Sequence, residues 1–171
     1  MVPSKNEKAS IFNGIPEDLP SLSYAYRLTQ KAARLGFDWP DLPEVLKKMD
    51  EELGEFREAL AQPPHPLGGV AKSRSLRVGT PPVRNRRRIA EEFGDLLFVL
   101  VNVARFLRID PEAALKETIR KFGSRFHYIE TSLRQAGKSV RKSNLVEMDR
   151  LWEEAKRKTK REVKVKAKVE Q

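Results

Sequence analysis

Apolar residues recur at three- and four-residue steps along most of this chain, the spacing of one face of an α-helix. A first helix is expected from about Pro20 to Leu35, stopped by Gly36. The FDWPD stretch at 37–41 reads as a turn, and Asp41 with Glu44 three residues on has capping-box spacing. A second helix follows, with Val45, Leu46, Met49, Leu53, Phe56 and Leu60 on one face. A third, from about Arg87 to Leu107, carries Ile89, Phe93, Leu96, Leu97, Leu100, Val103, Ala104 and Leu107. Asp110 then caps a fourth, with Pro111 at its first position and Gly137 at its end. Its stripe is Leu115, Ile119, Phe122, Phe126, Ile129 and Leu133. Ser143 or Asn144 opens a fifth, with Leu145, Met148, Leu151, Trp152 and Ala155. The closing VKVKAKV reads as a solvated tail rather than a strand. The expected fold is all-α, a four- or five-helix bundle.

Composition narrows the chemistry. The chain has 171 residues, no cysteine and two histidines, His65 and His127. That excludes disulfides, thiolate nucleophiles, cysteine-based zinc sites and a histidine-rich metal site. There is neither an apolar run long enough for a membrane span nor an apolar signal region, so the expectation is a cytoplasmic protein with no membrane partner. The net charge of +10 is uneven. Residues 62–88 hold seven Lys or Arg and no acid, and residues 156–171 hold eight against two acids, so the remaining body is mildly acidic. Five of the eleven prolines and three of the nine glycines fall in 62–86, which reads as a long basic loop. The organisation expected is an irregular segment over 1–19, a helical domain over 20–157 interrupted by that loop, and a basic tail over 158–171. Loop and tail leave nucleic-acid binding open, although they lack interleaved aromatics for stacking.

Two helical segments resemble each other, EELGE at 51–55 and EEFGD at 91–95. Each sets acids three residues apart on one face, Glu52 with Glu55 and Glu92 with Asp95. Each also carries a mid-helix glycine, Gly54 and Gly94, which costs roughly 0.5–1 kcal/mol relative to alanine. A close approach of two backbones, or of a ligand, is the expected reason. If the two helices pack antiparallel, four carboxylates share one pocket and repel unless a cation neutralises them. Mg²⁺, with Mn²⁺ as a substitute, fits a few carboxylates plus water and substrate phosphate. The competing reading is solvated helix faces with ion pairs such as Lys48/Glu52 and Arg88/Glu92. Asn102, seven residues after Asp95 on the same face, either reaches a ligand or is hydrogen-bonded in the core.

ELGE and EFGD resemble the EExxE…ExxD signature of MazG-type, all-α nucleoside triphosphate pyrophosphohydrolases. LGFDWPD (35–41), EEFGDLLFVLVNVARFL (91–107), DPEAALKETIRKFGSRF (110–126) and LVEMDRLWEEAKR (145–157) are similar to the C-terminal catalytic half of bacterial MazG. The resemblance implies Mg²⁺-dependent hydrolysis of NTP or dNTP to monophosphate and pyrophosphate, in a homodimer or higher homo-oligomer. It places catalytic metal ligands at Glu52, Glu55, Glu92 and Asp95. It places substrate contacts at Lys121 and Arg125, at Trp152 and Lys156, and at Lys48 and Arg88; Asn102 joins them if it reaches the nucleotide. The alternatives are the same fold with a narrower substrate, dUTP/dCTP or phosphoribosyl-ATP, or a non-catalytic basic module that binds nucleic acid.

Overall fold

The computed structural model describes residues 10–61 and 86–169, with side chains as far as 158. The basic loop expected over 62–86 therefore lies outside the described residues, apart from its last position. Among the described residues there are five α-helices: α1 (Ser21–Ala33), α2 (Leu42–Ala61), α3 (Arg86–Phe106), α4 (Pro111–Gln135) and α5 (Leu145–Val169), with a short 3-10 turn at Val140–Lys142 before α5. The protein is all-α, and the described residues include no strand.

Local chemistry sets the helix ends. The Glu44 amide donates to Asp41 Oδ1 at 3.0 Å, the Glu112 amide to Asp110 Oδ1 at 2.9 Å, and the Glu147 amide to Asn144 Oδ1 at 2.9 Å. Asn144 rather than Ser143 therefore caps α5; the Ser143 hydroxyl donates instead to Glu147 Oε2 at 2.9 Å. Gly36 (φ 86°) and Gly137 (φ 70°) close α1 and α4 in the left-handed region, where only glycine avoids a Cβ penalty. α5 differs from expectation. It continues to Val169 through the segment read as a tail, because its lysines, arginines and alanine favour helix and outweigh the weak alternation of valines.

The chain divides into two compact units, Met1–Glu112 and Ala113–Gln171. In the first, α3 packs against both α1 and α2. Asp38, just before α2, pairs with Arg105 near the end of α3, while Phe56 near the end of α2 meets Phe93 near the start of α3. α2 and α3 are therefore antiparallel. Val45, Ala59, Val99 and Val101 are buried there. In the second unit, Ile129, Leu133 and Leu151 form the core, with Phe126, Tyr128, Val140, Met148 and Trp152 packed against it.

The Asp38–Arg105 pair is a two-pronged carboxylate–guanidinium contact, Nη1 to Oδ2 at 2.8 Å with Nη2 on Oδ1. It ties the FDW turn to α3. The Arg105 hydrogen bond, followed by its charge, holds the Asp38 carboxyl below its ordinary 3.8. A depressed acid contributes stability above that ordinary value and loses it as pH falls through the folded value. Asp38→Asn is thus expected to cost about 2 kcal/mol at neutral pH. Urea unfolding of both proteins should show the gap closing as the solution is acidified below 3.8.

Candidate metal and nucleotide site

Antiparallel packing of α2 on α3 brings the two acidic segments together. Glu52, Glu55 and Glu92 each offer a carboxylate oxygen, and the three oxygens lie within 4.8 Å of one another. Glu52 is buried, with a side chain 8% exposed, and Glu92 is half-buried at 15%. Asp95, one turn beyond Glu92, is exposed and stands outside this group of three.

The ion pairs of the competing reading also form. Lys48 Nζ lies 2.8 Å from Glu52 Oε1 and 2.9 Å from Glu51 Oε1. Arg88 Nε lies 3.3 Å from Glu92 Oε1. Glu52 and Glu92 thus each have a cation one turn earlier on their own helix. Glu55 has none; its carboxyl is pushed above the ordinary 4.5 by burial and then by the charges of Glu52 and Glu92, which outweigh Lys48. The ion pairs leave an uncompensated negative centre, and three converging carboxylates suit a hard divalent cation.

The glycines do not behave as their matched positions suggest. A Cβ built on Gly54 or Gly94 would meet nothing within 4 Å. Close approach of two backbones is therefore not their reason, and the packing around them supplies none.

Asn102 is fully buried and engaged. Its Nδ2 donates to the Phe98 carbonyl at 3.1 Å, and its Oδ1 accepts from Arg105 Nε at 3.4 Å and Nη2 at 3.1 Å. It holds the guanidinium that grips Asp38. Sequence reasoning missed this chain of contacts, since Asp38 and Arg105 stand 67 residues apart; no periodicity joins them. The same side chains wall an aromatic cavity of about 360 Å³ with Phe12, Phe37, Trp39 and Phe98.

The second unit carries the remaining candidates. Arg125 lies over the Trp152 ring, 5.4 Å from its centroid, and Phe122 meets the same indole at 5.3 Å. The Arg125 Nε is buried without a hydrogen-bond partner among the described residues. Lys121 is exposed and pairs with Glu117 at 3.4 Å, and Lys156 pairs with Glu153 at 2.7 Å. Trp152 also packs against the Ile129–Leu133–Leu151 core, so it serves as core residue and guanidinium platform together.

Comparison with known proteins identifies the family. Residues 42–129, from the start of α2 into α4, match the MazG nucleotide pyrophosphohydrolase domain. The chain is 35% identical over 150 residues to the nucleoside triphosphate pyrophosphohydrolase/pyrophosphatase MazG of Thermotoga maritima, covering 88% of this chain and 49% of that protein. It is 31% identical over 148 residues to a nucleoside triphosphate pyrophosphohydrolase of Escherichia coli K12, covering 86% and 49%. It is 38% identical over 149 residues to the uncharacterized protein YabN of Bacillus subtilis, covering 87% of this chain and 26% of that protein. The chain thus spans about half the length of the Thermotoga and Escherichia proteins. The domain match contains both acidic segments and the helices that bring them face to face, and the chain belongs to the MazG nucleotide pyrophosphohydrolase family.

Proposed function

We propose that the chain is a divalent-metal-dependent nucleoside triphosphate pyrophosphohydrolase, releasing a nucleoside monophosphate and pyrophosphate. The convergence of Glu52, Glu55 and Glu92 to within 4.8 Å carries this reading, because substrate phosphates are anionic and carboxylates can face them only across a cation. Glu52, Glu55 and Glu92 would hold the ion, Mg²⁺ or Mn²⁺, with Asp95 joining from the next turn of α3. A divalent ion held there would neutralise phosphate charge and orient a water for in-line attack at the α-phosphorus. The new bond joins the water oxygen to that phosphorus. The bond to the bridging oxygen of the β-phosphate breaks, and pyrophosphate leaves with the electron pair. The water's proton passes to a carboxylate of the site. Lys48 and Arg88 hold Glu52 and Glu92 in place from one turn earlier. Lys121, Arg125 and Lys156 would bind the triphosphate, with Trp152 as a platform for the base. Asn102 acts as a positioning residue through Arg105.

A homodimer is part of the same proposal. α3 leaves Phe93, Leu97 and Leu100 40–50% exposed at four- and three-residue steps, an apolar stripe that a second copy would cover.

The test is incubation with each common NTP and dNTP, with Mg²⁺ and with EDTA, and separation of products by ion exchange. Monophosphate plus pyrophosphate, abolished by EDTA, is expected. Turnover of dUTP and dCTP alone, or of phosphoribosyl-ATP alone, would narrow the substrate. Diphosphate plus phosphate would overturn attack at the α-phosphorus. No turnover, together with salt-dependent DNA binding, would favour the basic binding module.

A further inference from the structure

The first unit holds a second cavity, of about 540 Å³, between α1, the segment before it and the α3–α4 turn. Arg27, Lys31, Arg34 and Arg108 line it, against one acid, Asp110. The body of the chain is mildly acidic outside its two basic segments, so four cations around one cavity are a local reversal of sign. Arg27, Lys31 and Arg34 follow i, i+4, i+7 spacing on one face of α1, where like charges repel. Lys31 Nζ donates to the carbonyls of Ile11 at 3.2 Å and Asn13 at 2.7 Å, which fixes the wall without neutralising it. The guanidinium groups of Arg27, Arg34 and Arg108 have no hydrogen-bond or ion-pair partner among the described residues.

Arg108 is the second observation. α1, α3 and α4 end in the same turn: the next residue's amide reaches back five positions, Phe37 to Ala32, Ile109 to Ala104 and Lys138 to Leu133. The left-handed position is Gly36 in the first and Gly137 in the third. In α3 it is Arg108 at φ 57°, where a side chain is strained. Glycine would make this turn at less cost, and arginine there adds a fourth cation to the cavity lining. The remaining lining is suited to a ring or an aliphatic group, with Ile15, Leu19 and Tyr26 beside the cations.

We propose that this cavity is a metal-independent site for a small phosphorylated molecule of nucleotide size, separate from the carboxylate cluster. Guanidinium forks take the phosphate oxygens, and the apolar wall takes the organic part. Glu92 and Arg108 are sixteen residues apart along α3 and its cap, about 24 Å at helical rise. The proposal does not depend on the hydrolytic reading.

Calorimetric titration of the full chain in EDTA with inorganic pyrophosphate and with ADP tests it. Both should bind, ADP more tightly. Arg27→Glu/Arg34→Glu should weaken both by about tenfold or more, and Arg108→Gly, which keeps the turn and relieves its strain, should weaken both with thermal unfolding no lower than that of the wild type. Glu55→Gln should leave both titrations as they are. Absence of binding in EDTA, equal affinity in the double and Arg108→Gly variants, or weakening by Glu55→Gln alone would overturn the proposal. A single-stranded oligonucleotide that binds more tightly than ADP and is lost in the same variants would also overturn it, in favour of nucleic acid.

Discussion

Glu55→Gln is expected to lower pyrophosphohydrolase activity about 100-fold or more and, in EDTA, to raise the unfolding temperature. The two effects have one cause. Glu55 is the member of the cluster without a cation one turn earlier on its own helix, and burial and then Glu52 and Glu92 push its carboxyl above the ordinary 4.5. For an acid raised in the folded state, the folded protein holds the proton more tightly than the unfolded chain. Its stabilising effect is therefore present at low pH and is lost as pH rises through the folded value. At neutral pH the ionised Glu55 is a liability in the metal-free protein, and an amide of nearly the same shape removes the repulsion. Metal reverses the ranking: Mg²⁺ should raise the melting temperature of the wild type by mass action and that of the variant far less. Scanning calorimetry of both proteins in EDTA and in Mg²⁺, beside the product assay, reads all of this. A variant that melts lower in EDTA, or gains as much from Mg²⁺ as the wild type, would contradict the assignment of Glu55 as a ligand.

Arg125→Ala is expected to reduce kcat/KM about 10- to 100-fold, the worth of a charge-assisted hydrogen bond or two, with little loss of stability. Its Nε is buried with no partner among the described residues, so the free protein bears the cost of dehydrating that donor without any return. A phosphate oxygen would supply the missing acceptor. Truncation removes the orphaned group along with the contact to the Trp152 ring, and these offset one another. Arg125→Lys should recover part of the loss, since a lysine keeps the charge but not the planar fork. Steady-state kinetics and urea unfolding of the three proteins decide it. Kinetics unchanged in Arg125→Ala would remove this residue from the substrate site, and a fall in stability large enough to unfold the unit would make its role structural.

The acidic cluster was half visible in the chain. The i,i+3 spacing of Glu52 with Glu55 places those two on one face whatever else happens, because helical geometry is local. The same holds for the caps at Asp41, Asp110 and Asn144 and for the turns at Gly36 and Gly137, where side chain or φ acts on the nearest amides. The ion pairs Lys48–Glu52 and Arg88–Glu92 are likewise one helical turn long. The competing readings of the acids were not exclusive: the pairs form and the carboxylates still converge.

Contacts between distant segments were a different matter. Glu92 meets Glu52 and Glu55 only because α2 and α3 run antiparallel at a particular register. That register is visible in Asp38 on Arg105, with Asn102 behind it, three residues that no local pattern links. The sequence by itself determined the helices, most of their ends and the acidic faces, because each depends on neighbours within a turn or two; the C-terminal extent of α5 was the exception. Tertiary structure alone decided that three carboxylates, not four, come within 4.8 Å, that Gly54 and Gly94 face open space, and that Arg108 joins Arg27, Lys31 and Arg34 around one cavity. Those outcomes depend on how faces distant in sequence pack together, where the energy is spread over many weak, non-directional contacts and no single residue announces its partner.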